Sequence, residues 1–212
     1  MLKLYEFHLD TAISVVGVYP QYSISSEEIY RSGKRDFRYN RAFAPFPDDV
    51  YLPVFRMEPH ARITDYMNRE AFSLVVSEKI LGILQKMHCD DPQIFKIKLE
   101  TPGGILDYYL FHLYKPLDDN AFFDWSQSVF YKEHKGIYTR VQYQNSEQRY
   151  NGGGGWPEKV YTRAMEAPFD VFQFRHFGLG AYYFSERFKQ EIEAANIKGV
   201  YFQELRFYQN GE

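Results

Sequence analysis

Two stretches of this chain, residues 72–80 and 181–188, repeat one order of residues and restrict the fold more than any other feature. Each passes from apolar residues to a serine, a glutamate and a basic residue. Ser77 and Ser185 stand where a helix N-cap is expected, because a hydroxyl accepts a hydrogen bond from the free N–H groups of the first helical turn. The glutamate that follows falls in that first turn, where the helix dipole favours a carboxylate. Each stretch therefore predicts a strand that ends at a serine, where a helix begins.

The residues that follow both serines continue the repetition. Apolar residues recur at helical spacing, as Ile80, Leu81, Leu84 and Met87 after the first serine and as Phe188, Ile192 and Ala195 after the second. Polar residues then precede a second apolar run in each stretch, at residues 94–99 and 200–205. The unit of strand, serine, helix and strand is thus predicted twice, over about residues 72–99 and 181–205. An internal duplication and a chance recurrence of a common junction both fit this pattern.

Length and aromatic content indicate the fold class. The chain has 212 residues, enough to bury a sizeable core. It contains 19 tyrosines and 19 phenylalanines, and aromatic side chains suit the half-buried surfaces of strands. Further strands are predicted at residues 105–114, 128–131 and 136–143, and no shift in composition marks a domain boundary. We predict one α+β domain over residues 1–212, with an aromatic-rich, mostly antiparallel sheet and two main helices.

Charge and cysteine content exclude several classes of function. A net charge of −3 is too small for electrostatic capture of nucleic acid or of an anionic membrane. The single cysteine, Cys89, excludes an internal disulfide and a cysteine-based zinc site. The first residues show no signal pattern and no apolar run reaches membrane-spanning length. We therefore expect a cytoplasmic protein of bacterial type, with export by another route as the alternative. The six histidines form no metal-binding pair in sequence, and we predict no cofactor.

Few residues are arranged as catalytic residues would be. The four glycines at 152–155 are followed by Trp156 and Pro157 rather than by the lysine of a phosphate-binding loop, so we predict a mobile loop there. An enzyme or a ligand-binding domain stays an alternative. It would use His176, beside a glycine-rich turn, or His112, in the aromatic strand, together with a carboxylate such as Asp170 or Glu186. His112 also fits a hydrogen-bonded structural role.

Aromatic and acidic residues in the middle of the chain favour a protein-binding function. Tryptophan and tyrosine anchor many interfaces, and acidic residues at the rim suit a basic partner. We predict a partner-binding patch with two tryptophans and three aspartates, namely Trp125, Trp156, Asp118, Asp119 and Asp124. Two other readings stay open: the aromatic side chains would lie in the core, and the aspartates in a solvated loop.

The second unit resembles the C-terminal pattern of a family of bacterial immunity proteins. In that family an apolar strand, a Ser-Glu cap, a helix and a strand with a Gly-Val-x-Phe type sequence recur, as they do in residues 183–188 and 199–202. The resemblance covers about residues 50–99 and 170–207. Such proteins are found beside polymorphic, contact-dependent toxins. The resemblance implies a non-enzymatic cytoplasmic protein that binds and neutralises one cognate toxin. It supplies no catalytic residues and leaves the oligomeric state open.

Overall fold

The computed structural model of the protein describes residues 1–39, 43–163, 166–178 and 180–209. The strands are β1 (Leu2–Leu9), β2 (Tyr22–Ile24), β3 (Arg35–Asp36), β4 (Val50–Tyr51), β5 (Phe55–Met57), β6 (Tyr66–Glu70), β7 (Ser73–Ser77), β8 (Gln93–Thr101), β9 (Gly104–His112), β10 (Phe123–His134), β11 (Ile137–Val141), β12 (Trp156–Thr162), β13 (Val171–Phe172), β14 (Tyr183–Phe184) and β15 (Val200–Gln209). The helices are α1 (Ile13–Val16), α2 (Ser26–Ser32), α3 (Glu78–Leu84), α4 (Asp119–Phe122), α5 (Ser146–Asn151) and α6 (Glu186–Ala194). The predicted α+β class is confirmed.

The strands form two large sheets rather than one. In the described residues, one sheet has the order β11-β10-β12-β15-β1-β14-β13 and the other has the order β2-β5-β8-β9-β7-β6, while β3 and β4 pair separately. Most neighbouring strands are antiparallel, as the sequence predicted. The parallel pairs are β12 with β15, β5 with β8, and β3 with β4.

Both large sheets are built around the same split β-α-β arrangement. In the first unit, β7 and β8 both pair antiparallel with β9, and α3 connects them. In the second unit, β14 and β15 both pair antiparallel with β1, and α6 connects them. The outer strands correspond too, because β5 and β12 each run parallel to the strand after the helix. The repetition of topology therefore extends beyond the serine junctions, and both duplication and chance recurrence remain open as its origin.

The two serines have the predicted capping role. Ser77 Oγ accepts a hydrogen bond from the N–H of Ile80 at 3.4 Å. Ser185 Oγ accepts the equivalent bond from Phe188 at 3.3 Å. Both N-cap predictions are confirmed. Helix α3 ends at Leu84, so Met87 lies beyond it, although its side chain is still buried in the core.

Three apolar clusters hold the sheets and helices together. The first draws on both large sheets and on the two capped helices. In this cluster the ring of Phe184, in β14, stacks on that of Phe188, in α6, with 4.3 Å between centroids. The second covers the other face of the seven-stranded sheet and contains Phe123 and Phe174. The third covers the other face of the six-stranded sheet. Central strands are thus buried on both faces, and a large sheet surface stays exposed near β10 and β11.

The described part of the chain contains no helix with the length and apolar character needed to span a membrane.

Candidate functional site

The β10–β11 hairpin leaves the core and presents its end to solvent. Its turn consists of Lys135 and Gly136, with φ angles of 53° and 79°. Positive φ at both residues defines the tight turn whose twist matches a two-stranded ribbon. The first half of β10 is mostly buried, whereas residues 132–134 and most of β11 are exposed. The sequence correctly predicted strands on both sides of this turn.

One face of this hairpin region carries exposed aromatic side chains. Tyr131 lies opposite Trp156 of β12 on one side and opposite Arg140 of β11 on the other. Residues opposite each other in neighbouring strands point to the same face of the sheet. Tyr138, two residues from Arg140, shares that face. Trp156 is 70% exposed and Tyr138 is 63% exposed. We call the surface formed by these residues and Glu158 the hairpin surface.

An ion pair fixes the polar part of the hairpin surface. Arg140 donates from Nε to Glu158 Oε2 at 2.7 Å, and its Nη2 bonds the other carboxylate oxygen. This hydrogen bonding lowers the pKa of Glu158. The pair is solvent-exposed and contributes little to stability. Its effect is to connect β11 to β12 across β10 and to hold the arginine beside the aromatic rings.

A cleft adjoins the hairpin surface where β12 and β15 separate. The two strands pair only at Tyr161 with Tyr208 and at Thr162 with Gln209. Before these positions the gap between the strands encloses about 560 Å³, with Glu158 and Glu204 among its polar lining and Phe177 and Phe207 among its apolar lining.

The carboxylates of this cleft are not arranged as proton donors. Glu204 accepts a hydrogen bond from Arg206 Nε at 2.5 Å and pairs with Lys3. Hydrogen bonding to Arg206 lowers the pKa of Glu204, just as Arg140 lowers that of Glu158. A general acid at neutral pH needs a raised carboxyl pKa. The geometry thus favours ionised, structurally paired side chains in this cleft.

The two tryptophans of the predicted patch lie in different environments. Trp156 is exposed on the hairpin surface, as the prediction required. Trp125 is only 2% exposed, and its ring stacks on Phe130 at 5.9 Å between centroids. The prediction of one patch that exposes both tryptophans is therefore wrong. The reason is that β10 runs from the core to solvent, and Trp125 lies on its buried half.

Two of the three predicted rim aspartates are buried. Asp118 is exposed and caps α4. Asp119 is fully buried and accepts hydrogen bonds from the backbone N–H groups of His176, at 3.1 Å, and Phe177, at 2.6 Å. Burial raises the pKa of Asp119 although these bonds oppose the rise. Its carboxylate holds the loop after β13 and is not available as a rim charge.

Asp124 also has a structural role. It is 7% exposed and accepts hydrogen bonds from Ser126 Oγ at 2.6 Å and Gln127 Nε2 at 2.9 Å. These bonds lie at the irregularity in the pairing of β10 with β12. The predicted acidic rim is thus wrong for Asp119 and Asp124, because both carboxylates satisfy nearby donors.

Neither His112 nor His176 forms a hydrogen bond with Asp170 or Glu186, the two carboxylates considered as catalytic partners. His112 is fully buried, and its Nε2 donates to the carbonyl of Ala44 at 2.9 Å. Its Nδ1 lies 3.1 Å from Ser73 Oγ, and burial lowers its pKa. His176 Nδ1 lies 3.1 Å from Ser146 Oγ. The two carboxylates that we considered as partners, Asp170 and Glu186, bond instead to Ser185 and Tyr5.

The glycine run ends a helix and forms no phosphate-binding loop. Gly152 caps α5, and the N–H of Gly154 donates to the carbonyl of Arg149 at 2.8 Å. Tyr143 also donates its hydroxyl to the Gly154 carbonyl. The stretch therefore has defined hydrogen bonds, while its mobility stays a prediction from the sequence. No group of three or more His, Cys, Asp or Glu side chains is placed to hold a metal within the described ranges.

Sequence reasoning identified Trp156 but not its neighbours Tyr131, Tyr138, Arg140 and Glu158. The signal was present, because Gly136 lies between the apolar residues of two predicted strands, and a glycine in a short connection indicates a hairpin. Applying the register of a tight hairpin would have placed Tyr131 opposite Arg140.

Fold and surface together define a class: an α+β protein with two split β-α-β units, in which one unit presents aromatic residues on a hairpin. The comparison with protein families identifies the family. The family described as immunity protein 43 matches residues 23–210, and the chain belongs to it. The match includes the hairpin surface, the cleft and both capped helices. A comparison with curated proteins found no match.

Proposed function

We propose that this protein binds and neutralises a cognate toxin through the hairpin surface. Membership of the immunity protein 43 family supports a role in toxin immunity. The observation that carries the assignment to this surface is the exposure of Trp156 and Tyr138 on one sheet face beside Arg140. Tryptophan, tyrosine and arginine are the residue types that dominate binding energy at interfaces.

Comparison of the two units supports the same surface. β2 and β10 have corresponding positions, because each pairs antiparallel with the strand that runs parallel to the strand after the helix. β2 has three residues, whereas β10 has twelve and pairs further with β11. The hairpin extension is therefore absent from the first unit's described strands. An element that the shared scaffold does not need is a good candidate for a specific function.

Binding rather than turnover is the second part of the proposal. The carboxylates of the cleft are held in ion pairs, and His112 and His176 lie in hydrogen-bonded structural positions. A toxin partner requires only a complementary surface, which rigid aromatic side chains with one fixed arginine provide. We propose that the protein acts in the cytoplasm as a non-enzymatic inhibitor.

Co-expression with the toxin domain encoded by the neighbouring gene tests the function. The wild-type protein should restore growth and co-purify with the toxin. Trp156→Ala should weaken the complex by about 2 kcal/mol or more, roughly 30-fold, if this residue anchors the interface. The matched control is Tyr30→Ala, which removes a ring that is 89% exposed on α2.

The outcomes separate the function from its location. Failure of the wild-type protein to rescue growth or to bind the toxin would contradict the proposed function. Wild-type rescue with equal affinities for Trp156→Ala and Tyr30→Ala would support toxin neutralisation but place the interface elsewhere. Circular dichroism and thermal unfolding of both variants check that the fold is retained.

A further inference from the structure

The outer edge of β11 has a defined set of outward-facing backbone groups. The two-residue turn makes His134 and Ile137 the hydrogen-bonded pair that closes the hairpin. Bonded and non-bonded pairs alternate along an antiparallel ladder. Thr139 and Val141 therefore direct their N–H and C=O groups to β10. The same groups of Tyr138 face the opposite way, toward the open edge, and those of Arg140 do likewise.

Among the described strands at the ends of the two large sheets, β11 has the most regular edge. β11 is the terminal strand of its sheet, and its register with β10 is continuous over Ile137–Val141. At the other sheet ends, β13 has two residues, β2 has three, and β6 is interrupted by a register shift. Short strands and bulges are the usual protection of an edge against pairing. β11 has neither, and Ile137 is 68% exposed.

The edge is continuous with the hairpin surface. The Tyr138 side chain belongs to that surface, while its backbone N–H and C=O belong to the edge. A strand added beside β11 would therefore make backbone bonds to Tyr138 and Arg140 and contact the aromatic rings at the same time. The ion pair with Glu158 holds the Arg140 side chain over the sheet face, away from the incoming backbone.

We propose that the toxin supplies an extended segment that pairs with β11 as an additional strand of the seven-stranded sheet. This inference rests on the proposed function and specifies how the toxin is bound. The segment alternates side chains as strands do, with an apolar residue on the face of Tyr138 and Trp156. A second copy of this chain fits less well. Pairing two five-residue edges buries much less than the roughly 1,200–2,000 Å² of a stable interface.

Two substitutions at one position separate backbone from side-chain binding. Tyr138→Ala removes the ring and keeps the outward N–H. Tyr138→Pro removes both, and proline is tolerated where a strand N–H faces an open edge. We expect the alanine variant to lose affinity for the toxin and the proline variant to lose up to about tenfold more, the scale of one backbone hydrogen bond. Equal affinities of the two variants would overturn the proposed strand pairing.

Hydrogen exchange on the wild-type protein gives a readout that needs no variant. The amide N–H groups of Tyr138 and Arg140 should exchange quickly in the free protein and become protected in the toxin complex. The amide of Thr139, bonded to β10, should be protected in both. Unchanged exchange at Tyr138 and Arg140 in a toxin-bound sample would overturn the inference while leaving neutralisation intact. Protection of these amides without toxin, in a dimer, would overturn it in favour of a second copy.

The failure of the wild-type protein to bind the toxin would instead contradict the proposed function, and this inference with it.

Discussion

The carboxylate of Asp170 accepts a hydrogen bond from the backbone N–H of His88 at 3.0 Å, and this contact joins the residue before β13 to the segment that follows α3. The N–H of Asp170 also donates to the His88 carbonyl at 2.7 Å. The same carboxylate accepts from Ser185 Oγ at 2.6 Å, so it connects the N-cap of α6 to the residues after α3.

Asp65 makes the same set of contacts with the roles of the two helices exchanged. Its carboxylate accepts from Ser77 Oγ at 3.0 Å and from the backbone N–H of Lys198, after α6, at 2.9 Å. Its own N–H donates to the Lys198 carbonyl at 3.1 Å. Each aspartate thus holds the N-cap serine of one of these two helices and the segment that follows the other helix. This exchange explains why the two serine junctions have the same geometry.

Removing either aspartate should destabilise the fold. We expect Asp65→Ala and Asp170→Ala each to lower the free energy of unfolding by about 1.5–3 kcal/mol, because each deletes hydrogen bonds to a charged group. Urea midpoints measure the loss. Asp49→Ala, at an exposed position, is the matched control. Midpoints equal to that of the control would show that the hydrogen bonds of Asp65 and Asp170 contribute nothing to stability.

Loss of either serine cap should have a smaller effect. Ser77→Ala and Ser185→Ala are each expected to cost roughly 1 kcal/mol, the usual cost of removing an N-cap hydroxyl. Threonine at the same positions keeps a hydroxyl and is expected to retain most of this stability. Chemical denaturation of the four variants measures the effect, and alanine variants as stable as the threonine variants would refute the capping argument.

Truncation of the two tryptophans should change the free energy of unfolding by very different amounts. Trp125→Ala is expected to cost about 3–5 kcal/mol, because it leaves a cavity beside Phe130 in a packed cluster. Trp156→Ala is expected to change stability by no more than about 0.5 kcal/mol, because its ring is largely in solvent. Thermal and urea unfolding compare them. Similar losses of unfolding free energy in both variants would contradict the solvent exposure of Trp156.

Acid should weaken the fold through His112. Burial lowers the pKa of His112 in the folded protein below its ordinary value of about 6.5, so the unfolded chain binds more protons at mildly acidic pH. The stabilisation from neutral His112 is fully present above about pH 6.5 and is lost as pH falls through the folded pKa.

The pH effect is isolated by substitution. Unfolding free energies are measured from about pH 8 to about pH 5 for the wild-type protein, His112→Gln and, as a control at the exposed hairpin tip, His134→Gln. The His112 variant should show a shallower decline than the other two proteins. The same slope in all three would remove His112 as the cause.

Local features were predictable because their causes lie within a few residues. A serine hydroxyl bonds to an N–H three positions later, as Ser77 does with Ile80, and the surrounding sequence is enough to predict it. The aromatic strand predicted at residues 105–114 corresponds to β9 at Gly104–His112 for the same reason. The candidate site was only partly predictable, since nothing near Trp125 or Trp156 shows which of the two is covered.

The sequence by itself determined the two repeated units, the helix caps, the aromatic strands and the resemblance to immunity proteins. Only the tertiary structure decided that β1 pairs between β14 and β15, and that Asp119 bonds to backbone groups at residues 176 and 177. It also decided that Trp125 is buried while Trp156 and Tyr138 are exposed. The physical reason is range: caps and periodicity act between near neighbours, whereas burial depends on which distant segments pack together, and local patterns do not specify that packing.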